Sequence, residues 1–178
     1  MKKKKILIIS LITFVLLVVI AISLIIFMPR RYRIPKSTLD IFGETAEGMS
    51  IHFIERERYY DYTDVYADKD GNLVFVMTRE EQKKFLEMLE DGLSFYETYY
   101  VEDGFYVEYN NNYTEVSVKC TKENYNEYGE LLMKQIMYEA SWCQAFMGVK
   151  PEDNRVRLQV IDIDTGEVLY ERTVEKAD

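Results

Sequence analysis

Leu73-Val74-Phe75-Val76-Met77-Thr78-Arg79-Glu80-Glu81 writes a strand, a helix cap and a first helical turn in succession. Leu73, Phe75 and Met77 alternate at the period of a half-buried strand. Thr78 with Glu81 three residues later is a capping box, in which a hydroxyl and a carboxylate satisfy amide donors at a helix start. Phe85, Leu86, Leu89 and Leu93 then recur at helical spacing, and Gly92 stands where a C-cap is expected. The pattern returns at an offset of 43 residues. Val116, Val118, Cys120, Thr121, Lys122 and Glu123 match Leu73, Phe75, Met77, Thr78, Arg79 and Glu80, and Tyr128 and Leu132 match Phe85 and Leu89. An internal duplication would produce this, and so would any two strand–cap–helix units.

Upstream, Asp68-Lys69-Asp70-Gly71-Asn72 is a turn, preceded by an extended stretch opened by Ile51-His52-Phe53 and continuing through residues 59–66. Downstream, turns at Glu102-Asp103-Gly104 and Asn110-Asn111-Asn112 separate predicted strands near 95–101, 105–109 and 113–120. Thr121 caps a helix to about Met147, striped by Tyr125, Tyr128, Leu132, Ile136, Cys143 and Phe146, and Gly148-Val149-Lys150-Pro151 ends it. A closing hairpin runs 156–163, turns at Asp164-Thr165-Gly166, and returns over 168–174. Hairpin–helix, hairpin–helix, hairpin predicts an α+β fold: an antiparallel sheet with two helices packed on one face.

The amino-terminal end follows different physics. Residues 6–28 form a run of 23 residues without a charge, broken only by Ser10, Thr13 and Ser23. As a helix it measures about 35 Å, against a hydrocarbon core of about 30 Å. A signal peptide has a shorter apolar core and a small-residue cleavage site, whereas this run exits into Met28-Pro29-Arg30-Arg31. The expectation is an uncleaved transmembrane helix behind a basic cytoplasmic tail, residues 1–5. Lys2, Lys3, Lys4 and Lys5 are nearly balanced by Arg30, Arg31, Arg33 and Lys36. The compact lysine block and the readiness of long domains to translocate favour an amino terminus in the cytoplasm and a domain outside the plasma membrane. Residues 29–50, with two of the three prolines plus Gly43 and Gly48, read as a tether with a short strand near 39–42. Residues 51–178 are then the acidic domain.

Beyond Lys36 lie 14 of the 22 Lys and Arg and all 31 acidic residues, a formal charge of −17. A nucleic-acid binder needs the opposite sign, and an anionic bilayer face repels such a domain. The charge is dispersed, as on a well-solvated surface; cationic peptides, polyamines or metal ions are the partners it would attract. Tyr and Phe are abundant, 15 and 9 in the chain, so the domain can build a core, which argues against disorder.

Catalytic and metal constellations do not assemble. Aligning Gly71 with the glycine of a calcium loop puts Tyr66 and Met77 where carboxylates are needed, so the segment reads as a turn. Asp162-Ile163-Asp164-Thr165-Gly166-Glu167 is likewise a hairpin turn. His52 is the only histidine, which excludes a multi-histidine site; Ile51 and Phe53 flank it at strand spacing. Cys120 and Cys143 sit on apolar stripes as buried thiols, and an unbroken helix holds them about 33 Å apart, too far for a disulfide. Ser50, Ser94, Ser117 and Ser141 lie in no nucleophile elbow. Phosphate-cradling glycine loops are absent, and two carboxylates picked from 31 carry no information about glycosidase chemistry. No catalytic, cofactor-binding or metal residue is assigned. The tyrosines of the strand-rich part, with Tyr60, Tyr62, Tyr99, Tyr106 and Tyr109 as the candidate partner-binding residues, form an aromatic, acid-rimmed surface suited to protein or glycan contacts.

From about Asp70 onward, over some 100 residues, the chain resembles small extracytoplasmic domains of Gram-positive bacteria, membrane-anchored or lipoprotein. The likeness rests on Thr78-Arg79-Glu80-Glu81-Gln82, Asn112-Tyr113-Thr114-Glu115-Val116, Gln144-Ala145-Phe146-Met147-Gly148 and Asp164-Thr165-Gly166-Glu167-Val168, and departs from the lipoproteins in lacking a lipidation cysteine. It implies a location and no activity. The functional expectation is a non-enzymatic, membrane-tethered binding or accessory domain, touching lipid through 6–28 and another surface or membrane protein through the domain. The competing readings are a carboxylate hydrolase at the cell surface and a sensor or regulatory partner of another membrane protein.

Overall fold

Residues 73–77 form the central strand of a sheet, and the reason is their burial: Leu73, Val74, Phe75 and Met77 are all inaccessible to solvent. The computed structural model describes residues 2–56 and 60–175, the side chains of 2–11, 24–26, 99 and 128 excepted. In chain order the elements are α1 (Lys2–Phe27), β1 (Arg30–Ile34), α2 (Lys36–Leu39), α3 (Ala46–Glu55), β2 (Asp64–Ala67), β3 (Leu73–Met77), α4 (Arg79–Tyr99), β4 (Tyr106–Tyr109), β5 (Glu115–Cys120), α5 (Lys122–Phe146), β6 (Val156–Asp162) and β7 (Val168–Val174). The fold is α+β. From β2 onward the order is the predicted one: hairpin, helix, hairpin, helix, hairpin.

Both caps read from the sequence form. The Thr78 hydroxyl accepts from the Glu81 amide at 3.3 Å, and the Glu81 carboxylate accepts from the Thr78 amide at 2.6 Å. Thr121 accepts from the Asn124 amide at 3.2 Å. The offset units are therefore alike in structure, β3–Thr78–α4 and β5–Thr121–α5.

The expectation of one antiparallel sheet is corrected to two sheets. One has the order β1-β3-β2 and is antiparallel throughout; the other has the order β4-β5-β6-β7. In the second, β4–β5 and β6–β7 are antiparallel, but β5 and β6 are parallel from Glu115↔Arg157 to Cys120↔Asp162. The 25 residues of α5 carry the chain back to the start of the sheet, which is what a parallel neighbour requires.

Each sheet has its own core, and α5 serves both. Leu132, Met133, Ile136, Met137, Ala140 and Cys143 pack with Val107, Val116, Val118, Leu158 and Val160 on the four-stranded side. Trp142, Ala145 and Phe146 belong to the other core with Phe53, Phe75 and Phe85. The ring centroids of Phe85 and Phe146 lie 4.6 Å apart and those of Phe53 and Phe75 4.9 Å, within the range of favourable aromatic pairing. Buried Gln144 fastens the entries of the neighbouring strands β5 and β6: its amide donates to Tyr113 O and Arg155 O and its oxygen accepts from Arg155 N.

Four further expectations are corrected. Residues 29–50 are not a tether: β1 pairs with β3 from Arg30↔Met77 to Ile34↔Leu73, burying Tyr32 and Ile34, so only Met28 and Pro29 separate α1 from the domain. The short strand near 39–42 is absent; Leu39 ends α2. Residues 46–55 are a helix, capped by Thr45 accepting from the Gly48 amide, because Ala46, Ser50 and Phe53 are buried at helical spacing. Residues 95–99 continue α4, where Leu93 and Tyr96 are buried together, so Gly92 is a mid-helix residue and not a C-cap. A Cβ on Gly92 would lie 3.3 Å from Glu139 Oε2, which shows how closely α4 and α5 approach there. Tyr59, placed in the extended stretch, lies outside the described residues.

α1 is one uninterrupted helix over the apolar run. Among the described residues, no helix is long and apolar enough to cross a membrane.

Candidate functional site

Where α3, α4 and α5 converge they leave an open groove of about 570 Å³. Phe53, Phe85 and Trp142 are its buried floor. Its walls are Phe42, Tyr60 and Tyr138, all partly exposed, with Met88 at the rim. Phe42 meets Tyr138 edge to face at 5.2 Å, and Tyr60 meets Phe53 edge to face at 5.2 Å.

Two carboxylates enter this aromatic setting. Glu44, from the link between α2 and α3, accepts from the Tyr138 hydroxyl at 2.7 Å. Glu139, on α5, accepts from the Tyr96 hydroxyl at 2.8 Å and from the Gln135 amide at 3.5 Å. Burial raises the Glu139 pKa above the usual carboxylate value, outweighing the two hydrogen bonds that lower it. Burial likewise pushes the Tyr138 hydroxyl up, and its bond to Glu44 adds to the effect. The buried Trp142 N–H stands beside the Tyr138 oxygen without reaching hydrogen-bond geometry. His52 lines the groove from α3, where it is exposed; the strand placement expected for it is corrected with the helix.

Of the candidate tyrosines, the structure brings Tyr60 and Tyr62 together around Phe53. Tyr60 lines the groove, while Tyr62 lies behind it, donating to Phe53 O at 2.7 Å. Tyr106 and Tyr109 stand on β4 in the other sheet: Tyr106 is exposed, and Tyr109 packs on the second core with its hydroxyl buried and without a hydrogen-bond partner among the described residues. The Tyr99 side chain lies outside the described residues. A single tyrosine face is thus not what forms, because the two groups belong to different cores. Phe42, Glu44, Tyr138, Glu139 and Trp142 were missed. A signal for three of them exists, since Gln135, Tyr138, Glu139 and Trp142 fall at i, i+3, i+4 and i+7 beside the main stripe of α5.

A second cleft, of about 820 Å³, opens beside β1. It gathers Arg31, Arg33, Lys36, Lys69 and Lys150 against Asp40, Asp68, Asp70 and Glu152. Arg33 and Lys36 contact Asp68 at 3.6 Å and Asp40 at 3.1 Å, so its opposite charges largely answer each other. Cys120 and Cys143 are buried and free. Among the described residues no group of three or more His, Cys, Asp or Glu could hold a metal ion. No protein-family model matches the chain, and no curated protein or solved structure matches it.

Proposed function

We propose that the protein is a single-pass membrane protein whose outward-facing α+β domain is a non-enzymatic binding module, engaging a partner protein through the α3–α4–α5 groove. The observation that carries this reading is the groove itself. Half-exposed aromatic rings stand over a rigid aromatic floor, a composition that binds by contact area and needs no reacting group. The anchor is supported by the 23-residue apolar run of the sequence, all but Met28 of which lies in α1. The likeness to small extracytoplasmic domains points to the same location.

A photo-crosslinker placed at Met88 in intact membranes should yield a discrete adduct, which Tyr60→Ala diminishes and which the same probe at Leu131 does not form. Absence of any adduct at Met88 would count against the reading. The protein should stay in the membrane after carbonate washing, and protease added to wall-stripped cells should remove the domain; protection would reverse the topology. A carboxylate hydrolase is the second reading, favoured by one observation: Glu44 and the raised Glu139 line the same groove. It requires that Glu139→Gln abolish a cell-surface hydrolysis while the domain stays folded.

A further inference from the structure

We infer that the groove receives a Lys or Arg side chain carried on an apolar segment of the partner protein. The inference rests on the binding reading above and specifies its ligand chemistry. Among the described residues, Glu44 and Glu139 supply the groove's formal charge, and no Lys or Arg lines it. Elsewhere several carboxylates meet cations: Asp40 and Lys36, Glu87 and Lys83, Glu130 and Lys134, Glu171 and Arg157. In the groove, among the described residues, Glu44 and Glu139 meet neutral donors. Tyr138 reaches one oxygen of Glu44, and Tyr96 and Gln135 reach one oxygen of Glu139. Among the described residues, Glu44 Oε1 and Glu139 Oε2 accept no hydrogen bond, and an ionised carboxylate offers about four acceptor sites.

Desolvating such oxygens under a purely apolar occupant is unfavourable, because nothing replaces the lost water. An ammonium or guanidinium group supplies charge-assisted hydrogen bonds to them. It also meets the faces of Tyr60, Tyr138 and Trp142, whose quadrupoles attract a cation. The exposed Phe42 and Met88 at the rim take the apolar neighbours of that side chain. The −17 carried beyond Lys36 draws cationic segments towards the domain and repels anionic ones.

Trp142 is the chain's single tryptophan, so its emission reports the groove floor directly. Three peptides of identical apolar residues, carrying lysine, glutamine or glutamate at their polar positions, are titrated into the full-length protein in lipid nanodiscs. The lysine peptide should change Trp142 emission saturably and bind about tenfold tighter than the glutamine peptide; the glutamate peptide should not bind. The double variant Glu44→Gln, Glu139→Gln keeps an acceptor for each tyrosine and should lose about that tenfold preference, whereas Glu108→Gln on β4 should keep it. Equal binding of the lysine and glutamine peptides, or a preference surviving the double variant, would overturn the cation assignment and leave the binding reading standing. Silence of Trp142 to all three peptides would overturn both.

Discussion

Glu139 holds a carboxylate among rings, and its proton equilibrium makes that placement measurable. Burial raises its folded pKa, while the unfolded chain titrates near 4.5. Between these values the native state binds more protons than the unfolded state, so the Glu139 contribution to stability falls as pH rises through the window. Glu139→Gln removes the charge and retains an acceptor for Tyr96. The variant should therefore be more stable than the native protein at about pH 8, with the difference closing below about pH 4, as urea unfolding at each pH will show. The thiols give a second residue-scale test. Burial pushes Cys120 up to about 11 and Cys143 up to about 12. The thiolate is the reactive form, so neither should take up a thiol reagent at about pH 8 until the protein is unfolded, and no prior reduction should be needed. Mass spectrometry counts the adducts; one in the folded state would show that a thiol is reachable.

At the scale of elements, Gln144 decides how the second sheet closes. One side chain satisfies the Tyr113 and Arg155 carbonyls and the Arg155 amide, tying the β4–β5 link to the entry of β6. Gln144→Leu keeps the volume and strands all three, a loss on the order of 3 kcal/mol by urea unfolding, with faster hydrogen exchange at the Arg155 amide. The Thr78 and Thr121 caps and the Val116–Cys120 alternation were legible, because each is a local pattern whose partners lie within a few residues. The run 95–99 was not: Phe95, Tyr96 and Tyr99 favour a strand intrinsically, and the burial of Leu93 and Tyr96 on one helical face overrides that preference. The α3 helix carried a helical signal at Ala46, Ser50 and Phe53, but only Phe53 of the three is large and apolar. The parallel pairing of β5 and β6 depends on how α5 returns across the sheet, and no local pattern encodes it.

The groove shows the same limit for the whole molecule. Its lining comes from residues 42–142, so three elements remote in sequence must assemble before it exists. Of its lining only Tyr60 was named as a partner-binding candidate, on aromatic density, and Glu44 and Glu139 were indistinguishable from the other 29 acids until their tyrosine partners came into view. The largest change to the molecule's design concerns residues 29–50. A flexible tether would let the domain stand off a bilayer, but Phe27 and Arg30 are three residues apart and span at most roughly 11 Å. Arg30-Arg31-Tyr32-Arg33-Ile34 conceals its strand behind three arginines, with only Tyr32 and Ile34 turned inward. These two sit in the core with Leu73, Phe75 and Met77, and β1 covers one side of the central strand of its sheet. A tether can be cut anywhere; a core strand cannot. A fragment beginning at Pro29 should therefore fold, with a cooperative thermal transition and dispersed amide resonances. One beginning at Ser37 loses β1, exposes an edge of β3 and opens the core around Phe75, and it should show neither property. Cooperative folding of the shorter fragment would show that β1 is dispensable, and residues 29–36 would then be free to act as a tether.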